Sequence, residues 1–164
     1  MNAGDALVVA GAGAAVLACA FAALAPRWPA FVQASRRALV GSAVALGLAT
    51  VWLALHFLAG WTDVAYVWEH TWTGYPWWYR LAGVWGGQKG TILLWAAFLA
   101  VASVVEDRLA ARAGVSARTA AVARAALAAL VAALAGLAAA DATFAPTRPD
   151  LLALAPAGQG LVEV

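Results

Sequence analysis

The sequence predicts an all-α integral membrane protein of about four transmembrane helices with one outward-facing Trp-rich loop. Three observations predict it. Of the 164 residues, 65% are hydrophobic and 11% charged, with a mean hydropathy of +0.84. A soluble domain is roughly half apolar and about a quarter charged, so a buried core does not absorb this excess. Four apolar stretches approach the about 20 residues that a bilayer span requires, and none alternates as a strand would. Finally, Arg and Trp are divided unevenly among the connections between those stretches.

The first span is expected over 6–25, stopped by Pro26. Ala23-Leu24-Ala25 looks like a signal-peptidase site. The start Met-Asn-Ala-Gly-Asp, however, has no basic residue, and Pro26 would follow the cut, so a retained helix is expected. The second span is expected over 38–60, with His56 near its far end. The third covers 81–105, short from Gly90 to Val105 and extended backward through Leu81–Trp85. The fourth, 121–140, is almost entirely Ala, Leu and Val, and Arg124 near its start is expected to snorkel to the interface. Glu106, Asp107 and Arg108 read as a solvated helix end. Gly11, Gly13, Gly41 and Gly47 are candidates for close helix contact, and the lone Cys19 reads as a small packing residue. Residues 1–140 thus form the bundle, with 61–89 as the Trp-rich outer loop. Residues 141–164, with Pro146, Pro149 and Pro156, form an outward-facing tail. The abrupt end at Val164 suggests one piece of a larger assembly or of a longer ancestral protein.

Basic residues orient the bundle. Arg27, Arg36, Arg37, Arg108, Arg112, Arg118 and Arg124 lie in or beside the first and third connections, and only Arg80, Lys89 and Arg148 on the other side. The positive-inside rule places the Arg-rich connections in the cytoplasm and both termini outside the inner membrane. The basic residues form no run that would grip nucleic acid, and membrane lipid is the expected medium.

Eight of the nine Trp fall between Trp52 and Trp95, leaving Trp28 on the Arg-rich side. An interfacial aromatic belt accounts for individual Trp residues, but a belt belongs at both interfaces. One-sided clustering points to a platform for a flat apolar ligand or a partner surface. Gly86, Gly87 and Gly90 open a turn into the third span. Their structural reading is a tight interfacial turn needing positive φ, and the spacing is not that of a phosphate-binding loop. His56 reads as structural. His70, among Trp68, Trp72, Trp77 and Trp78, reads as a hydrogen-bonding organiser. No acid–base pair, nucleophile triad or zinc motif is present in the sequence.

Three blocks between the second and third spans carry a resemblance: Tyr66-Val-Trp-Glu-His70-Thr, then Pro76-Trp-Trp-Tyr-Arg80, then Trp85-Gly-Gly-Gln-Lys-Gly-Thr-Ile-Leu-Leu-Trp95. In order and spacing they resemble the N-terminal part of the CcmF/NrfE/CcsA family of cytochrome c-type biogenesis (haem lyase) proteins. Thr143-Phe-Ala-Pro146 and Pro156-Ala-Gly-Gln-Gly-Leu161 resemble the connection to that family's next section. Lys89 stands where the family usually has Glu. The family's Trp-x-Trp-Trp-x-Trp-Asp haem-binding box does not occur in these residues. The resemblance implies a membrane component of cytochrome c maturation that helps present haem to apocytochrome c on the outer face. It leaves open whether the chain has any enzymatic part. Implied partners are other maturation proteins, one of them carrying the Trp-rich box, and apocytochrome c. The implied haem-side residues are His70, Trp77, Trp78, Trp85, Gly86, Gly87 and Gly90, with Arg80 and Lys89 facing propionates or lipid phosphates. The alternative is a structural or accessory subunit of a respiratory or transport complex without haem contact.

Overall fold

The computed structural model describes residues 2–72 and 74–154. Seven α-helices occur among them: α1 (Ala3–Leu24), α2 (Ala30–Ala59), α3 (Ala65–His70), α4 (Trp77–Ala82), α5 (Gln88–Arg112), α6 (Ala117–Ala140) and α7 (Pro149–Leu154). The ends of these helices follow from local chemistry. Asn2 caps α1, its side-chain oxygen accepting from the Asp5 N–H at 2.9 Å, and Ser116 caps α6 in the same way through Thr119. α2 ends at Gly60, whose φ of +70° is the left-handed conformation that lets the backbone turn back on the His56 and Phe57 carbonyls.

α1, α2, α5 and α6 run alternately up and down. α1 packs on α2 and α6, and α5 closes the ring by packing on the same two helices. The contacts are made largely by Ala, with Ala15, Ala18, Ala49, Ala96, Ala100, Ala128 and Ala135 fully buried. Small residues let helix axes approach closely, as membrane bundles require. Gly11 is such a position: a Cβ there would lie 2.7 Å from Leu46 Cγ, and the Gly11 carbonyl accepts from Ser42 Oγ at 2.9 Å. Gly13, Gly41 and Gly47 face open space, so the close-contact expectation fails for them. Val9, Val16, Leu17, Val44, Leu48, Val51, Val122, Leu130 and Leu137 are exposed around the outside. That is an apolar coat suited to lipid.

α1, α2 and α6 are long and apolar enough to cross a membrane. α5 is the fourth member of the bundle. Its uncharged run from Gly90 to Val105 covers about 24 Å at 1.5 Å per residue, against a hydrocarbon core of about 30 Å. The helices extend beyond the expected spans wherever charged residues are helical. α2 starts at Ala30 rather than 38, and α5 ends at Arg112 rather than 105, because Arg36 and Asp107 are paired inside the bundle instead of ending it.

The expected loop 61–89 contains α3, α4 and a single 3-10 turn, Gly83–Trp85. The expected span 81–105 is broken at Gly86 and Gly87, with the extended Gly87 opening α5. The tail folds back over this end. Ala65 N–H donates to the Ala145 carbonyl at 2.8 Å, Thr147 N–H to the Asp63 carbonyl at 2.8 Å, and Asn2 to the Phe144 carbonyl at 2.5 Å. Val64 and Pro146 form an isolated antiparallel bridge there. The resemblance read at Pro156–Leu161 lies outside the described residues.

Candidate functional site

The Trp-rich end is organised around one phenol. α3 buries Tyr66 beneath the turn into α5, where its hydroxyl accepts from the Gly87 N–H at 3.0 Å. The same hydroxyl lies 3.1 Å from the Gly83 carbonyl and 3.3 Å from those of Val84 and Gly87, as donor among them. Burial raises the phenol pKa above its ordinary 10.0. Backbone hydrogen bonds from Gly87 and Gly90 pull it the other way, and the Glu69 charge adds to the rise. The first and third sequence blocks are thereby tied together through a side chain-to-backbone knot.

Gly87 and Gly90 are required here by close approach. A Cβ on Gly87 would lie 2.5 Å from His70 Nε2 and 2.9 Å from the Tyr66 ring, and one on Gly90 would overlap the Val84 carbonyl. Gly86 and Gly87 both have negative φ, at −69° and −136°, so the expected need for positive φ is corrected to a need for space. Gly86 itself leaves room for a Cβ, with its nearest neighbours at 3.5 Å or more.

His70 ends α3, one turn after Tyr66. Its Nδ1 is 2.9 Å from the Tyr66 carbonyl, and its ring lies 4.4 Å from the Tyr66 ring. A cavity of about 220 Å³ opens beside it, lined by Tyr66, Glu69, His70, Gln88, Lys89 and Asp141. Lys89 therefore shares its surroundings with two carboxylates. Arg80 donates from Nε to the Tyr75 carbonyl at 3.0 Å and from Nη1 to the Leu58 carbonyl at 3.1 Å. Arg80 is thus tied to two backbone carbonyls, while Lys89 lines the cavity with Glu69 and Asp141.

Six of the Trp residues fall into three sets. Trp68 is buried in the core. Trp52 and Trp61 flank His56 at 5.0 and 5.2 Å, with His56 Nδ1 2.9 Å from the Trp52 carbonyl and its Nε2 3.8 Å from Asp63. His56 is structural, as expected. The third set is displayed: Trp77, Trp78 and Trp85 are 59%, 57% and 54% exposed, and α4 buries none of its residues. Trp77 and Trp78 meet edge to face at 5.7 Å, and Trp72, Tyr75 and Tyr79 continue the aromatic surface beside them. The structure therefore groups His70, Gly87, Gly90 and Lys89 in one place and Trp77 and Trp78 on a separate exposed helix.

A second cluster, at the opposite end, escaped the sequence reading. Asp107 Oδ2 accepts from Arg36 Nε at 2.9 Å and Oδ1 from Arg124 Nε at 2.9 Å, while Arg124 Nη1 donates to Ser35 Oγ at 3.2 Å. Arg124 is 2% exposed and Asp107 8%, so the Arg does not snorkel and Asp107 is withdrawn from the solvated helix end, where Arg108 remains exposed. An Arg inside an Ala-rich helix demands a buried partner, and an acidic residue late in the preceding helix was the available signal.

No family model matches this sequence. Over 86 residues, 52% of the chain, it is 35% identical to the probable cytochrome c-type biogenesis protein NrfE of Escherichia coli (strain K12), of which the match covers 16%. The solved structure of the cytochrome c haem lyase CcmF matches with a TM-score of 0.76 at 22% identity, covering 95% of this chain and 27% of that one. The bundle and its Trp-rich end are thus a shared fold, and the chain spans a minor part of the length of each relative.

Proposed function

We propose that this chain, a relative of the CcmF/NrfE cytochrome c-type biogenesis proteins, is a membrane component of cytochrome c maturation. In this reading it sits in the inner membrane with both termini outward, and the Trp-rich end helps present haem to apocytochrome c. The observation that carries the reading is the exposure of Trp77, Trp78 and Trp85 beside a turn fixed by Tyr66, His70, Gly87 and Gly90. Large rings held on a rigid base present apolar area at little cost in side-chain entropy, as a porphyrin face or a partner's aromatic surface would require. The Tyr66 hydroxyl positions the turn through Gly83, Val84 and Gly87, and His70 packs against Tyr66 in α3. The ligating and bond-forming residues lie outside these 164 residues, in a section that carries the Trp-rich box. Haem is accordingly shared with that section rather than held by these residues alone.

The test is covalent haem on a c-type cytochrome, read from haem-stained gels at equal chain level. Replacing Trp77, Trp78 and Trp85 together with Ala is expected to remove most of the product, while Trp28→Ala leaves it near normal. Three ring contacts at about 1 kcal/mol each correspond to roughly a hundredfold weaker association. Normal maturation in the triple variant would leave an accessory subunit without haem contact as the better reading.

A further inference from the structure

At the Arg-rich end, α2 and α5 enclose a cavity of about 270 Å³, whose lining includes Arg36, Asp107, Arg108 and Arg112 with Leu39 and Val104. We propose that this cavity binds a phosphate ester, with an anionic phospholipid headgroup at the bundle end as its occupant.

The charge balance carries the argument. Three guanidinium groups line the cavity against one carboxylate. That carboxylate is already engaged on both oxygens, by Arg36 at Oδ2 and by the buried Arg124 at Oδ1. One negative charge therefore serves two Arg residues, and no ion pair joins Arg108 or Arg112 to an acidic residue among the described residues. Glu106, the next acidic neighbour, lines a different hollow with Val105 and Leu109. Arg36 is 35% exposed and Arg108 and Arg112 are exposed, so an anion entering beside them meets an excess of positive charge. Guanidinium groups offer the forked donors that suit phosphate oxygens.

The rest of the lining is apolar, and that selects an amphiphile. Leu39 and Val104 adjoin the cations and lead onto the apolar flank of the bundle, where Val44 and Val101 are exposed. A headgroup in the cavity would let its acyl chains run along that flank. Basic pockets between helices at a membrane surface bind lipid headgroups by this combination. The site lies at the opposite end from the Trp-rich surface and does not depend on the haem reading.

The test uses the full chain purified in detergent. It compares retention of phosphatidylglycerol, phosphatidylcholine and inorganic phosphate by native mass spectrometry, with the thermal unfolding midpoint as a second readout. Phosphatidylglycerol is expected to be retained over phosphatidylcholine and to raise the midpoint. The paired substitutions Arg108→Gln and Arg112→Gln, both at exposed positions, should weaken that retention about thirtyfold. Arg108→Lys with Arg112→Lys should keep part of it. Displacement of phosphatidylglycerol by millimolar inorganic phosphate, lost in the Gln pair, would keep the phosphate site and assign it to a soluble source. Equal retention of the two lipids, or a preference that survives the Gln pair, would overturn the proposal.

Discussion

The two ends of the bundle use their polar residues in opposite ways. At the Trp-rich end, Tyr66, His70, Arg80 and His56 all make hydrogen bonds to backbone carbonyls, and the aromatic surface beside them is left exposed. At the Arg-rich end, Asp107, Arg36, Arg124 and Ser35 bond side chain to side chain across α2, α5 and α6. The first arrangement fixes the shape of a connection. The second fixes the mutual position of three helices. A backbone held in place can display rings to a partner, whereas a buried ion cluster makes the bundle depend on each of its members.

That contrast orders the consequences of substitution. The largest loss is expected for Asp107→Ala, which leaves Arg124 buried without its carboxylate. Removing one partner of a buried pair costs about 3–5 kcal/mol. Equilibrium unfolding in mixed detergent micelles should register that loss. Arg124→Leu added to Asp107→Ala should recover much of it, since the uncompensated charge disappears. If the single variant unfolds like the unaltered chain, the two ends do not differ in the way described.

Gly90→Ala tests the other end. The new methyl group would overlap the Val84 carbonyl, and a backbone atom yields less readily than a flexible side chain. Overpacking of this kind costs about 1–3 kcal/mol. Gly86→Ala should be nearly silent by the same measurement, because its Cβ finds ordinary contact distances. An equal loss at both glycines would remove the close-approach explanation.

The helices and the importance of the glycine block were legible in the sequence, since long apolar runs and a Gly-rich turn are local signals. Three features were not. The Asp107–Arg124 pair joins two helices across a connection, and the Asp107–Arg36 pair joins residues 71 apart in the chain. A hydropathy reading treats such charges as the ends of spans, which is why the start of α2 and the end of α5 lie beyond the expected spans. The six-residue α3 and α4 are too short to establish a helical period, so 61–89 read as loop. The sorting of Trp68 into the core and Trp77 and Trp78 onto the surface depends on that unseen helical register.

Tyr66→Phe is expected to have a smaller effect, about 1–2 kcal/mol, because it leaves the Gly87 N–H and nearby carbonyls short of one partner. It carries a pH signature. Burial holds the phenol above 10.0, so the folded chain retains a proton that the unfolded chain releases at alkaline pH. The stability this group contributes is complete below pH 10 and is lost as pH rises from there through the folded pKa. Unfolding curves at increasing alkaline pH should therefore fall less steeply for the Phe variant. Parallel curves would mean that Tyr66 is not set apart by its burial.

The smallest effect on stability belongs to the displayed rings. Trp77 and Trp78 are more than half exposed, and α4 buries none of its residues, so Ala at both positions removes little that the fold uses. Exposed substitutions of this kind fall within about 0.5 kcal/mol. Trp28, 52% exposed and edge-on to Phe31 at 6.1 Å, should behave in the same way. Equal stability makes the pair a controlled comparison: two exposed aromatic sites, one at each end, neither needed for folding. If both were only interfacial anchors, their loss would cost similar membrane-interface terms and leave similar phenotypes. A maturation defect confined to the Trp77 and Trp78 variants, with unfolding curves superposed on that of Trp28→Ala, would locate the lost energy in a contact outside this chain. A large stability loss in the double variant would instead show that α4 is held by its rings, and the displayed surface would then be part of the fold.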